Sequence, residues 1–272
     1  MHTDGKFLYP SNNVLEYMDR FNIEKAIITT INRTKVSLKN DDIDKSNKMN
    51  YMLENFKKIM PKGQLSHQDV IDIAKKASDR VYKLFWFNPK LTSEEEHSNY
   101  KILEDNFKKG FCGVKIHSIF NLLKIPKDVL NLASFIQEYN EEYNKNLFLY
   151  IHSVPKVSYF NGVLSRDIAK LAKSFPDLRI IVGHAAFCME YAIEVGTVLK
   201  NYKNVFFETS ASVSYGIYRL IRSLGNKRIL FGSDSPVVSP IQLEIEKILT
   251  LPIPNEEKQN ILYNNVNNFL TS

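Results

Sequence analysis

The second half of the chain contains four apolar runs that each end in polar residues. They read LFLYIH at 147–152, LRIIVGH at 178–184, NVFFETS at 204–210 and RILFGSD at 228–234. A short continuous apolar run is typical of a β-strand that is buried on both faces. If such strands are parallel and close into a barrel, His152, His184, Thr209 and Asp234 converge at one end of it. Functional groups at the downstream strand ends of a (β/α)8 barrel are typically catalytic.

Strand-like and helix-like segments alternate along the chain, which is typical of a parallel α/β fold. Seven segments have the composition of strands, and from the third onward their ends lie about 25 to 35 residues apart, as β-loop-α-loop units require. The seven are Lys25–Ile31, Val81–Phe87, Gly113–His117, Leu147–Ile151, Arg179–Val182, Val205–Glu208 and Arg228–Phe231. An eighth strand is expected before the first helix. Only Met1 precedes His2, so that strand is short or begins upstream. We predict one domain over residues 1–272, folded as an α/β (β/α)8 TIM barrel.

Residues 33–66 interrupt this alternation with a long polar segment after the second strand. Its apolar residues share one helical face, which ends at Pro61-Lys62-Gly63. They are Met49, Met52, Leu53, Phe56 and Ile59. The segment is therefore predicted to be a helical insertion. It either packs outside the barrel or caps the strand ends, because barrels place lids in the loops that follow strands.

Helix starts are predicted from side chains that can accept hydrogen bonds from free backbone amides. Ser11 or Asn12 is expected to cap the first helix, and Ser165 the helix after the fifth strand. Ser66-His67-Gln68-Asp69 resembles a capping box that opens a further helix.

Composition and charge exclude several classes of protein. The formal net charge is +6, but the lysines are scattered, without the basic block that a nucleic-acid-binding protein uses. No apolar run reaches the roughly 18 residues that a membrane span needs, so no membrane association is expected. Two cysteines, Cys112 and Cys188, do not form a disulfide framework, which favours a cytoplasmic location. Both are interpreted as packing residues, Cys112 ahead of its strand and Cys188 early in a helix.

Six short motifs occur in order along nearly the whole chain. They are HTDGK at 2–6, GFCGVKIH at 110–117, YIHSVP at 150–155, FPDLRIIVGHAA at 175–186, NVFFETSA at 204–211 and KRILFGSDSPV at 227–237. Together they resemble the amidohydrolase superfamily, specifically the amidohydrolase-2 type of metal-dependent barrel hydrolases and decarboxylases. The last four motifs, in this order and spacing, carry most of the resemblance.

The resemblance implies one divalent metal ion, usually zinc, at the downstream strand ends. Position by position, His2, His152 and Asp234 match the metal ligands, and His184 matches the histidine beside the metal. The second strand-one ligand of the family is a histidine, but this chain has Asp4 there. A carboxylate can also bind zinc, and the oxygen-rich set makes manganese possible. The predicted metal ligands are therefore His2, Asp4, His152 and Asp234.

The predicted chemistry follows from these residue types. A zinc-bound water loses a proton near pH ~7, and Asp234 can take that proton and return it to a leaving group. His184 can polarise a carbonyl or orient the water, or assist proton delivery to carbon in a decarboxylation. Lys115 and His117 are two apart on one strand and so point the same way. In the lumen, Lys115 would bind a substrate carboxylate and His117 would supply a second polar contact.

A single histidine after a strand is more often a hydrogen-bonded core residue than a ligand. His152 and His184 stand out because they occupy matched positions on neighbouring strands. Asp234 could simply cap a turn, since GSDSP is rich in turn formers, but the preceding strand favours a ligand. His67 and His97 lie in polar stretches and are predicted to be solvated surface residues.

The sequence favours a metal-dependent hydrolase that acts on a small amide, ester, lactone-like or carboxylated substrate. The alternatives are a non-oxidative decarboxylase that uses the same site, or a barrel without catalytic activity, since fold alone does not secure function. A small molecule is the expected partner, and the chain is expected to form a homodimer as many relatives do.

Overall fold

The computed structural model describes residues 1–3, 13–30, 64–91, 96–156 and 162–272. Eight strands form one sheet in which each strand pairs in parallel with the next strand along the chain. The strands are β1 (His2–Thr3), β2 (Ala26–Thr30), β3 (Val81–Trp86), β4 (Phe111–His117), β5 (Phe148–His152), β6 (Arg179–Gly183), β7 (Val205–Glu208) and β8 (Ile229–Leu230). This strand order confirms the predicted α/β barrel fold.

Helices separate the strands, as the βα alternation predicted. They are α1 (Val14–Arg20), α2 (Gln68–Lys76), α3 (Glu96–Lys108), α4 (Leu130–Tyr143), α5 (Ser165–Ser174), α6 (Met189–Val198), α7 (Ser214–Leu224) and α8 (Ile241–Leu249). A 3₁₀ turn at Lys127–Val129 leads into α4. The chain then continues through α9 (Asn255–Gln259), a π-helical turn (Asn260–Asn264) and α10 (Asn265–Thr271). Among the described residues, none of these helices combines the length and the apolar composition that crossing a membrane requires.

The strands bury both of their faces, which explains why they read as continuous apolar runs. Residues on the outer face, such as Val114, Leu149 and Val182, pack with the surrounding helices in one large core. Residues on the inner face form a second, smaller cluster at the upstream end of the lumen. Its buried members are Leu84, Phe148, Ile181, Leu230 and, from α10, Phe269.

Helix α10 closes the upstream end of the barrel. The ring of Phe269 packs edge-on against Phe148 at 5.1 Å and against Phe206 at 4.7 Å between ring centroids. The guanidinium of Arg179 lies 4.3 Å from the centre of the Phe269 ring, which adds a cation–π contact. This apolar closure leaves the downstream ends of the strands as the place for a polar site.

The predicted strands agree with the structure to within about two residues, and the predicted first strand is the two-residue β1. Strand β4 begins at Phe111, so Cys112 lies inside the strand and not ahead of it. Strand β8 covers only Ile229–Leu230, which is shorter than predicted. Residues 31–63 lie outside the described residues, so the helical insertion predicted at 33–66 stays a prediction.

Two predicted helix caps are wrong. The first helix is capped by Asn13, whose side chain accepts a hydrogen bond from the backbone amide of Glu16 at 3.0 Å. Ser165 is the first residue of α5 and does not cap it, because its hydroxyl donates to the Glu194 carboxylate of α6 at 2.6 Å. A hydrogen bond to a charged acceptor is stronger than a neutral cap, so the serine links two helices.

The prediction that His67 is a solvated surface residue is also wrong. His67 is only 4% exposed, and its ring stacks on Phe85 with 4.2 Å between centroids. Its Nδ1–H donates to the carbonyl of Leu65 at 2.9 Å, and its Nε2 accepts from the amide of Trp86 at 2.7 Å. These contacts attach the residues ahead of α2 to strand β3. Burial lowers the pKa of His67 from 6.5 to about 4, despite an opposing hydrogen bond to Leu65.

His67 should therefore make the stability of the barrel depend on pH. Its folded-state pKa is depressed, so its contribution is present in full above 6.5 and is lost as the pH falls through about 4. We expect the free energy of unfolding to lose on the order of 3 kcal/mol over this window. In urea titrations at several pH values, the free energy of unfolding of His67→Gln should fall less than that of the parent over the same window. Parallel pH profiles for the two proteins would contradict this assignment.

Candidate active site

The register of the central strands places the predicted site residues on the inner face of the barrel. Lys115 of β4 lies beside Tyr150 of β5, and His117 lies beside His152. His152 in turn lies beside Gly183 of β6. Lys115 and Tyr150 line a cavity of about 380 Å³ that runs through the lumen. Because alternate residues of a strand share a face, His117 and His152 lie on the lumen side as well.

His152 and His184, predicted on neighbouring strand ends, are in direct contact. Nδ1 of His152 and Nε2 of His184 are 3.0 Å apart, and the two rings meet edge to face at 4.5 Å between centroids. Nδ1 of His184 lies 3.0 Å from the carbonyl oxygen of Ser210 and 2.9 Å from its hydroxyl oxygen. Both ring nitrogens of His184 are therefore engaged within the site.

His117 belongs to a group of stacked rings beside this pair. The centroid of its ring lies 3.6 Å from that of the His152 ring, 4.1 Å from that of Phe120 and 5.2 Å from that of Trp86. Its Nδ1 accepts a hydrogen bond from the backbone amide of Phe120 at 3.1 Å, which fixes the ring orientation.

The environment of His152 favours a neutral imidazole. Burial lowers its pKa well below the ordinary value, and His117, His184 and Lys115 lower it further, while Asp234 opposes them. A neutral ring is the form of histidine that binds a metal ion.

Lys115 is a buried cation in the wall of the cavity. Its Nζ lies 5.1 Å from the centre of the Trp86 ring and 5.2 Å from that of Tyr150, within the range of cation–π attraction. Burial lowers the pKa of Lys115, and the carboxylates of Asp234 and Glu208 oppose this effect. The cavity therefore holds a lysine whose charge an anionic ligand would stabilise.

Glu208, for which the sequence predicts no role, is surrounded by hydrogen-bond donors. Its carboxylate accepts hydrogen bonds from the Tyr150 hydroxyl at 3.0 Å, the His184 amide at 3.1 Å, and the Ser210 amide and hydroxyl at 2.8 Å each. Burial, followed by Glu208 and Asp234, raises the pKa of Tyr150 well above 10, so the phenol remains a donor. The alternation of β7, which puts Glu208 and Ser210 on one face, was the available signal in the sequence.

Two glycines make room for these groups. A Cβ atom at position 183 would lie 2.2 Å from the Tyr150 hydroxyl, and one at position 232 would lie 1.2 Å from a carboxylate oxygen of Glu208. Any side chain at either position would displace Tyr150 or Glu208. Glycine is therefore needed at positions 183 and 232 to leave space for the polar network, and not for its backbone flexibility.

Asp234 lies four residues beyond the end of β8, in a turn. Its backbone is left-handed, with φ of 47°, and its carbonyl accepts from the amides of Val237 and Val238. His184 has a similar φ of 55°. Residues other than glycine in this conformation cost about 1 kcal/mol or more and often occur in functional sites. The carboxylate of Asp234 contributes to the wall of the cavity and acts electrostatically on His152 and Lys115.

The predicted metal ligands are described only in part. Asp4 lies outside the described residues, and of His2 only the backbone is described, paired with Thr29 of β2. Within the described part of the chain, no group of three or more His, Cys, Asp or Glu residues has an arrangement that would hold a metal ion. The four expected ligands, His2, Asp4, His152 and Asp234, therefore all stay predictions.

The sequence was compared with models of known protein families. Residues 45–268 match the family model described as Amidohydrolase, of the amidohydrolase-2 type. The chain belongs to this family of enzymes. A comparison with curated protein sequences gave no significant match.

Solved structures of similar fold include several decarboxylases. An uncharacterized TIM-barrel protein from Bordetella bronchiseptica has 18% identity and a TM-score of 0.60, over 76% of this chain and 72% of that chain. The 2,6-dihydroxybenzoate decarboxylase from Rhizobium has 12% identity and a TM-score of 0.63, over 100% and 96%. A dihydroxybenzoic acid decarboxylase from Polaromonas, with bound manganese and the inhibitor 2-nitroresorcinol, has 15% identity and a TM-score of 0.60, over 94% and 84%. At these identities the likeness shows the TIM-barrel fold alone.

The close approach of Gly183 and Tyr150 can be tested by a double-mutant cycle. Gly183→Ala should destabilise the protein by roughly 1–3 kcal/mol, because the new methyl group overlaps the phenol. In a Tyr150→Ala background the same change should cost less than about 0.5 kcal/mol, since the overlapping group is gone. Denaturant unfolding of the four proteins measures both values. Equal costs in the two backgrounds would show that Tyr150 is not the obstacle.

Proposed function

We propose that this protein is a metal-dependent, non-oxidative decarboxylase of an aromatic carboxylic acid. The observation that carries the proposal is the cavity wall, in which the buried Lys115 and the protonated Tyr150 lie near the neutral His152 and the carboxylate of Asp234. This wall provides a cation that can bind a substrate carboxylate and an acid–base group that can transfer a proton. The decarboxylases of similar fold support this reaction over the hydrolysis that the sequence analysis ranked first.

A divalent metal ion fits the donor atoms at this end of the barrel. His152 supplies a neutral imidazole and Asp234 a carboxylate, and both are common ligands of divalent ions. We propose that these two residues hold the ion together with His2 and Asp4. Manganese, which is present in the Polaromonas enzyme, is better supported than zinc. When bound, the ion would orient and partly neutralise the anionic oxygens of the substrate.

Lys115 is proposed to bind the substrate carboxylate. A cation and an anion attract each other more strongly in a buried cavity than in water, because the effective dielectric constant is lower. The aromatic ring of Tyr150, which lines the cavity beside the ammonium, is proposed to provide an apolar surface for a substrate ring. His117, whose ring stacks on those of Trp86 and His152, is proposed to add a second substrate contact.

Asp234 is proposed to transfer the proton. An ionised Asp234 first takes a proton from solvent or from a hydroxyl of the substrate. It gives this proton to the ring carbon as the bond between that carbon and the carboxylate breaks and carbon dioxide leaves. His184 was predicted to assist this step, but both of its ring nitrogens already contact His152 and Ser210. We therefore assign His184 to the orientation of His152 and proton transfer to Asp234.

The cytoplasmic location, the homodimer and the lack of nucleic-acid and membrane partners stay predictions. Cys112 and Cys188 are free thiols in the structure. The thiol of Cys112 donates to the carbonyl of Lys83, and burial raises its pKa to about 12. Such a thiol is unreactive, so it serves packing and not catalysis.

The direct test is product analysis of the purified protein after loading with Mn²⁺. With 2,6-dihydroxybenzoate as the first substrate, we expect equal amounts of carbon dioxide and 1,3-dihydroxybenzene. Asp234→Asn should lower kcat by at least about 100-fold, because the variant loses both the group that transfers the proton and a carboxylate ligand of the ion. The exposed Asp177, changed to Asn, is the matched control and should retain activity. Hydrolysis of esters or lactones with ¹⁸O uptake from water, and no carbon dioxide from a panel of aromatic acids, would overturn the proposal.

Lys115→Met tests the proposed carboxylate contact. The change preserves length and apolar bulk but removes the charge, so KM for an ionised acid should rise about tenfold or more, with a smaller effect on kcat. Lys200→Met, at an exposed lysine, is the control and should leave KM unchanged. An unchanged KM in Lys115→Met would show that the carboxylate binds elsewhere.

A further inference from the structure

A chain of hydrogen bonds links the buried Glu208 to His152. The Ser210 hydroxyl lies 2.8 Å from Oε2 of Glu208 and 2.9 Å from Nδ1 of His184. Nε2 of His184 then lies 3.0 Å from Nδ1 of His152. The chain thus runs from a carboxylate to a proposed metal ligand through one serine and one histidine.

The acceptors in this chain determine where the protons lie. A carbonyl oxygen can only accept, so the 3.0 Å contact between Nδ1 of His184 and the carbonyl of Ser210 requires a proton on Nδ1. The hydroxyl of Ser210 gives its own proton to Glu208 and can accept the same Nδ1–H. With a neutral ring, Nε2 of His184 is then an acceptor. His152 must in turn donate from Nδ1, which leaves the lone pair on its Nε2.

We infer that Glu208 is a positioning residue that, through Ser210 and His184, holds His152 in the Nδ1–H tautomer. The carboxylate is well placed for this, because donors from β5, from the end of β6 and from the segment after β7 converge on it. Gly232 allows it to approach the backbone of the segment after β8. A ligand that binds through a single ring nitrogen needs its tautomer and ring orientation fixed in this way.

The inference rests on the proposed function only in taking His152 as a metal ligand. The tautomers can be read with neither metal nor substrate present. Failure of the tautomer test and failure of the decarboxylation test are therefore separate results.

The test is the ¹⁵N spectrum of the histidine rings in metal-free protein at about pH 8, with ¹⁵N-histidine label. We expect His152 and His184 as Nδ1–H tautomers. His67, which donates from Nδ1 to Leu65, should share their form, and His117, which accepts at Nδ1 from Phe120, should be the Nε2–H tautomer. These two rings calibrate the spectrum. A His152 ring in the Nε2–H form in the parent protein would overturn the inference.

Glu208→Gln tests the role of the carboxylate. In the variant an NH2 group faces the groups that donate to the carboxylate in the parent. The Ser210 hydroxyl can then donate to Nδ1 of His184 in competition with the contact to the Ser210 carbonyl, and His152 should become a mixture of tautomers. The affinity for Mn²⁺ should fall about 10–100-fold, the usual effect of losing such a supporting group. Tyr150→Phe is the matched control, because it removes one donor to Glu208 and leaves the chain to His152 intact.

If Glu208→Gln does not fold, Glu208→Asp replaces it, because the shorter side chain keeps the buried charge but no longer reaches the Ser210 hydroxyl. The same mixture of tautomers is expected at His152. A folded variant of either kind whose His152 remains entirely in the Nδ1–H form would overturn the role of Glu208. A tautomer change of equal size in Tyr150→Phe would show that general disturbance of the lumen, and not the chain, is responsible.

Discussion

The carboxylate of Glu208 imposes the main constraint on the downstream half of this barrel. A buried charge is costly unless hydrogen-bond donors surround it, and here four donors do so. They come from β5, from the residue that follows β6 and from the segment after β7, so the carboxylate ties the ends of three strands together. The glycines at 183 and 232 follow from the same requirement, since side chains there would displace the phenol or the carboxylate.

The lumen is divided along its length into an apolar and a polar part. At the upstream end, Phe269 packs against Phe148 and Phe206 and makes this part of the lumen apolar. Toward the downstream end, Lys115 and His184 are buried and His152 is partly buried, and all three are polar. Because the apolar closure lowers the local dielectric constant, charges near it interact more strongly than they would in water. The barrel therefore supplies both the electrostatic setting for an anionic substrate and the rigid frame that holds its contacts.

Much of this arrangement could be predicted from the sequence, because the apolar runs of the strands and the alternation of side chains between their two faces are both local patterns. Apolar runs identified the strands, and alternation within β4 put Lys115 and His117 on one face. His67 was wrongly predicted to be exposed because its neighbours Ser66 and Gln68 are polar. Its burial results from stacking on Phe85, which belongs to strand β3. Glu208 lacked a role because its partners come from two other strand ends.

The sequence by itself determined which segments form strands, their order, and which polar residues stand at the strand ends. Those features depend on side-chain polarity and spacing within a few residues. Only the tertiary structure decided that His184 contacts His152 and Ser210 with its two ring nitrogens, and that Glu208 lies against Gly232. Such contacts depend on the register between strands and on the curvature of the sheet. Both arise from packing across the whole barrel, and no short stretch of sequence contains them.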